Sequence, residues 1–104
     1  MFSKIPVNLE DVGKKEKDLE ILRAALMAEL DSINLYRQLA AAAENENVRK
    51  LLVEVAGAEK IHVGEFQTLL LRLDPRQAKK SEEGEETVRK LLYTNEPVEE
   101  EMEE

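Results

Sequence analysis

Three features of this 104-residue sequence predict an all-α protein. Proline stands only at positions 6, 75 and 97, so nothing forces a helix to break between residues 7 and 74. Glu, Lys, Leu and Ala are abundant and aromatics make up only 4%, the composition of long helices. Two stretches carry apolar residues in alternating steps of three and four, which places them on one side of a helix. The expected protomer is an antiparallel two-helix hairpin plus a short C-terminal helix, in one domain over residues 15–93.

Residues 1–14, which include Pro6 and Gly13, read as a lead-in. The first helix is expected over about 15–43, where "ENEN" at 44–47 gathers residues that favour turns and N-caps. A second helix follows over about 48–73 and stops at "DP" (74–75), because the residue before proline is pushed out of the helical region. Residues 76–84 are polar, contain Gly84, and read as a linker. A short third helix is expected over about 85–93, with Val88, Leu91 and Leu92 on one side. Residues 94–104 form an acidic tail or linker whose like charges favour disorder.

The seam of each long helix is countable. In the first it reads Leu19, Leu22, Leu26, Glu29, Ile33, Tyr36, Ala40 and Ala43. In the second it reads Val48, Leu52, Val55, Glu59, His62, Phe66, Leu69 and Leu73. This heptad-like pattern in both helices is that of a hairpin within a bundle. Of the sixteen positions only Glu29, Glu59 and His62 are ionisable near neutral pH. With the turn near residue 46, Glu29 lies about 17 residues before it and His62 about 16 after. At roughly 1.5 Å rise per residue both sit about 25 Å from the turn, with Glu59 one turn from His62 on the same face. The three side chains are expected to converge.

A buried carboxylate without a partner costs several kcal/mol or loses its charge. Two facing carboxylates make this worse unless a cation lies between them, and carboxylate plus imidazole suits iron, manganese or zinc. Glu-x-x-His places both donors on one helix face and is half of the di-iron bundle site, which takes two such units and two lone glutamates from four helices. The chain holds one of each, so a two-fold homodimer would complete the site at its interface. Leu30, Leu35, Leu39, Leu51, Ile61, Val63, Leu70 and Leu71 lie off the seams and add a second reason to oligomerise. Gly57 and Gly64 share another face of the second helix, where missing side chains leave room for a close neighbour.

Charge and composition narrow the class further. A net charge of −8 argues against nucleic acid and favours divalent cations. The chain has no cysteine, which excludes disulfides, thiolate zinc sites and iron–sulfur clusters and fits a cytosolic protein. No apolar run approaches membrane-spanning length and the N-terminus has no signal-like apolar core, so neither a membrane nor export is expected. Enrichment in Glu and Lys suits a thermophile.

In "AELDSINLY" (28–36) and "AEKIHVGEF" (58–66), and more broadly over residues 19–74, the chain resembles the encapsulated ferritins. These are half-length relatives of ferritin and rubrerythrin. The likeness is greatest to the ferritin-like domain fused to some archaeal encapsulin shell proteins. The thirty-residue separation of Glu29 and Glu59 also matches. The resemblance implies a dimer that forms a ferritin-like four-helix bundle, with two irons per interface, and a ring of dimers, commonly a decamer. It implies a ferroxidase in the cytoplasm, inside an encapsulin nanocompartment, oxidising Fe(II) to Fe(III) for mineral storage within the shell. By position, Glu29, Glu59 and His62 match the ligands, Tyr36 a tyrosine beside the site, and Asp31 an acidic residue of a secondary metal site on the path by which iron arrives. Ala28 replaces a carboxylate found there in some members. The C-terminus has no obvious apolar shell-docking peptide, so either the chain is cut from a fusion or docking works differently. Rubrerythrin itself fits less well, since its electron-transfer domain needs four cysteines.

Two alternatives stand beside this reading. One is a non-catalytic helical oligomerisation module whose buried Glu–His pairs fix register. The other keeps the metal as a structural zinc or manganese clamp. Tyr36 reads equally well as core filling, and Asp31 as a surface charge.

Overall fold

The computed structural model describes residue 10 and residues 13–93, except the side chain of residue 15. Most of the expected lead-in, and the acidic tail at 94–104, lie outside these residues. Three helices follow in order: α1 (Lys14–Ala42), α2 (Glu46–Leu73) and α3 (Pro75–Tyr93). No strand occurs among the described residues.

The α1–α2 hairpin is tied at its turn by side chains. Asn45 caps α2 by accepting from the backbone N–H groups of Asn47 at 2.9 Å and Val48 at 3.1 Å, which satisfies two orphan donors. The last turn of α1 has no basic residue of its own. Arg49 of α2 supplies one, donating from Nη2 to the Ala43 carbonyl at 2.6 Å and from Nε to the Ala40 carbonyl at 3.3 Å. A third contact from Nη1 reaches Glu46 at 2.7 Å. One guanidinium thus serves two carbonyls at the end of α1, of which that of Ala40 also accepts the Ala43 N–H, and holds α2 against them. Towards the other end of the hairpin, Arg23 of α1 pairs with Asp74, which caps the end of α2, at 3.2 Å.

The core stripe departs from the sequence expectation in α2. Val48, Leu69 and Leu73 are exposed, whereas Leu70, expected off the seam, is 6% exposed. A strict alternation of three and four has a period of 3.5, while a straight helix turns every 3.6 residues. The true stripe drifts about 20° per heptad from the counted one, so the middle agrees and the ends do not.

Little is buried. Leu22, Ala40, Ala56 and Leu70 make up the core among the described residues, and none of the large side chains is fully enclosed. Exposed instead are Ile21, Met27, Leu30, Leu39, Leu51, Val53 and Ile61, along with the three seam residues above. That much apolar surface on one hairpin marks a protein with further packing to do.

The segment 76–84, expected as a linker, is helical, so α3 runs 19 residues rather than the nine of 85–93. Polarity there reports exposure rather than irregular backbone. Gln, Ala, Lys and Glu are good helix formers. Pro75 occupies the first position of α3, where its fixed φ and missing N–H suit a helix start. The chain also divides where one domain was expected: one compact unit ends at Asp74 and a second begins at Pro75. In α3 no described residue is buried, and Val88, Leu91, Leu92 and Tyr93 are exposed.

Candidate metal centre

Midway along the hairpin, α1 presents Glu29 and α2 presents Glu59 and His62. The register expected from the sequence holds, and one ligand atom from each lies within 4.8 Å of the others. His62 Nδ1 is 3.4 Å from Glu29 Oε2 and 3.4 Å from Glu59 Oε2. No other group of three His, Asp or Glu gathers this way among the described residues.

Burial within the trio is uneven. The Glu29 and Glu59 side chains are 20% and 17% exposed, while the His62 side chain is 45% exposed. The carboxylates are therefore drawn into the hairpin, with the imidazole at its rim. The contact from His62 to Glu59 has hydrogen-bond geometry, although at 3.4 Å it is long. Glu29 Oε2 is buried and has no hydrogen-bond partner. An orphaned carboxylate oxygen beside a second carboxylate and an imidazole nitrogen is what a divalent cation would satisfy. The residues present fit such an ion.

Tyr36 and Asp31 stand apart from this group. Tyr36 is half-buried on α1, seven residues beyond Glu29 and about two turns nearer the hairpin turn. It shares the face of Glu29 without belonging to the converging trio. Asp31 is half-buried two residues after Glu29, which turns it to a different face of α1. The Arg49 and Arg23 contacts that hold the hairpin were not expected from the sequence. Both link residues whose partnership depends on the hairpin closing, and helical periodicity carries no signal for it.

The structure resembles that described as the crystal structure of the encapsulated ferritin domain from Pyrococcus furiosus, with a TM-score of 0.74 and 49% identity over 90% of this chain and 98% of that one. The model of the Rubrerythrin family matches residues 20–104. The chain belongs to the rubrerythrin family. Membership comes through the ferritin-like helical domain, since the 104 residues include no cysteine.

Two curated relatives refine the place within the rubrerythrin family. A ferritin-like-encapsulin shell fusion protein of Pyrococcus furiosus is 53% identical over 85 residues, which is 82% of this chain and 25% of that protein. The encapsulin nanocompartment cargo protein EncC of Myxococcus xanthus is 38% identical over 81 residues, covering 75% of this chain and 62% of that protein. The chain thus spans a quarter of the first relative and under two thirds of the second. The likeness to encapsulated ferritins read from "AELDSINLY" and "AEKIHVGEF" holds. No helix among the described residues is long and apolar enough to cross a membrane.

Proposed function

We propose that the protein is a ferroxidase of an encapsulated ferritin system, acting as a homodimer that joins two copies of Glu29, Glu59 and His62. The observation that carries this reading is the convergence of the three side chains around the unpartnered Oε2 of Glu29. One chain offers half the donors of a di-iron site, and its apolar surface needs a second copy. Fe(II) is the substrate. Two Fe(II) per dimer give up two electrons, enough to carry O₂ to hydrogen peroxide with two protons from solvent.

Each residue has a defined part. Glu29 and Glu59 neutralise the incoming ions and, lying half inside the hairpin, bind them in a poorly solvated place where charge attraction is strong. His62 adds a nitrogen donor on the same face of α2 as Glu59. Tyr36 lines the path from the site toward the turn, and Asp31 offers a carboxylate for ions approaching along α1. The relatives' names support a setting with an encapsulin shell, as cargo or fused domain. The reading also takes in a cytoplasmic location and a ring of dimers such as a decamer.

Aerobic Fe(II) oxidation, followed by Fe(III) absorbance, tests the reading. The wild type is expected to accelerate it, and Glu29→Ala or His62→Ala to abolish the acceleration. Equal rates in wild type and Glu29→Ala would remove ferroxidase activity from this site. If Fe(II) proves inert while chelator still dissociates the protein, the metal is a structural clamp. If assembly ignores both chelator and His62→Ala, a metal-free oligomerisation module remains.

A further inference from the structure

On the turn side of the metal trio, a recess is lined by Arg37, Ala40 and Ala41 of α1 and by Arg49 and Val53 of α2. Spacings of three and four residues put the α1 members on one face of their helix and the α2 pair on one face of theirs. Ala40 lies 11 residues beyond Glu29, about 16 Å along the helix, so the recess is separate from the converging ligands. The two alanines open it, since their methyl groups leave space that longer side chains would fill. Two guanidinium groups of like charge border this space, and they are not equally compensated. Glu46 pairs with Arg49 at 2.7 Å. Arg37 is exposed and has no ion-pair or hydrogen-bond partner among the described residues. Arg49 has five N–H donors and commits three, to Ala40, Ala43 and Glu46, which leaves two. The Ala40 carbonyl accepts from both Arg49 Nε and the Ala43 N–H, so its lone pairs are already engaged.

We propose that this recess binds inorganic phosphate, held between Arg37 of α1 and Arg49 of α2. In a chain of net charge −8, an uncompensated arginine beside a second arginine is a local reversal of sign. A phosphate ion relieves the repulsion between the two guanidinium groups and supplies acceptors for the donors left over. The planar fork of a guanidinium matches pairs of phosphate oxygens, and such charge-assisted bonds are about twice as strong as neutral ones. Arg49 is fixed beforehand by its bonds to two carbonyls and Glu46, so it gives up little freedom on binding. Only Arg37 has to be ordered. No aromatic residue lines the recess, so nothing there would stack on the base of a nucleotide. The free ion is therefore the ligand. The proposal stands without the ferroxidase reading and needs no metal.

Equilibrium dialysis of metal-free protein against labelled inorganic phosphate, at an ionic strength fixed with sodium chloride, tests this. The wild type should take up one phosphate per chain. Arg37→Ala should weaken binding roughly tenfold, and Arg37→Lys by less, since an ammonium keeps the charge without the fork. Ala41→Leu fills the recess at unchanged charge and should abolish binding, with circular dichroism reporting that the helices persist. If Ala41→Leu lowers helicity, the Arg37 variants decide alone. Arg49 is left in place because it also holds the hairpin at its turn. His62→Ala should bind phosphate as the wild type does, which separates the recess from phosphate carried by a metal at the trio. Adenosine monophosphate should compete no better than inorganic phosphate. The proposal is overturned by no uptake at millimolar phosphate, or by wild-type affinity in Arg37→Ala or in a helical Ala41→Leu. Loss of binding in His62→Ala, or tighter binding of the nucleotide, would equally sink it.

Discussion

Glu29 Oε2 lies 3.4 Å from His62 Nδ1 and still accepts no hydrogen bond. The approach is close enough for attraction and misaligned for bonding. Such an oxygen costs about 1–3 kcal/mol when nothing compensates it. The position is therefore better suited to an added cation than to the bare protein.

With chelator present, Glu29→Leu is expected to raise the unfolding free energy by about 1 kcal/mol, since it removes the unsatisfied oxygen and fills the same space. Chemical denaturation measures this. The same variant should lose Fe(II) binding by titration. Destabilisation would mean instead that the carboxylate holds His62 in place.

Metal should stabilise the folded state by mass action. At a concentration 100 times the dissociation constant, the gain is about 2.7 kcal/mol. Thermal unfolding of the wild type should shift upward with added Mn(II), which does not turn over, and shift back with chelator. His62→Ala should show neither movement.

Arg49→Ala removes the donor to the Ala40 and Ala43 carbonyls and to Glu46 together. Hydrogen bonds to charged groups are worth about 1.5–3 kcal/mol, less where solvent reaches them, so a loss of about 1–2 kcal/mol is expected. Arg49→Lys should recover only part of this, because an ammonium lacks the planar fork that spans separate carbonyls. Thermal unfolding of the three proteins side by side checks the order.

Gly84 lies within α3, and a Cβ built on it meets nothing within 4 Å. Gly84→Ala should therefore favour α3 by about 1 kcal/mol without a clash. Far-UV circular dichroism near the unfolding midpoint would register the gain in helix content. No change would show that α3 is held by contacts stronger than its own propensity.

The trio Glu29, Glu59 and His62 was legible in the sequence because it rests on two counts, periodicity along each helix and distance from the turn. Both are insensitive to a shift of a residue or two in the helix ends. Leu70 was missed for the opposite reason, since it lies far from the middle of α2, where a 3.5 count and a 3.6 helix have drifted apart. The first half of α3 is not legible because polar residues with Gly84 also suit a linker, although they favour helix and Pro75 can begin one. Arg49 and Arg23 act across the hairpin, and a single sequence holds no periodic trace of such pairings.

A hairpin whose core among the described residues is Leu22, Ala40, Ala56 and Leu70 has little holding it together by itself. In the proposed dimer the surface that completes the core belongs to another copy, and the folding equilibrium then contains a term in protein concentration. Dilution acts as a denaturant for such a molecule, and its melting point is a property of the solution as much as of the chain. On that proposal newly made chains would reach lasting order only on meeting one another, and the supply of working protein would rise more steeply than the supply of polypeptide.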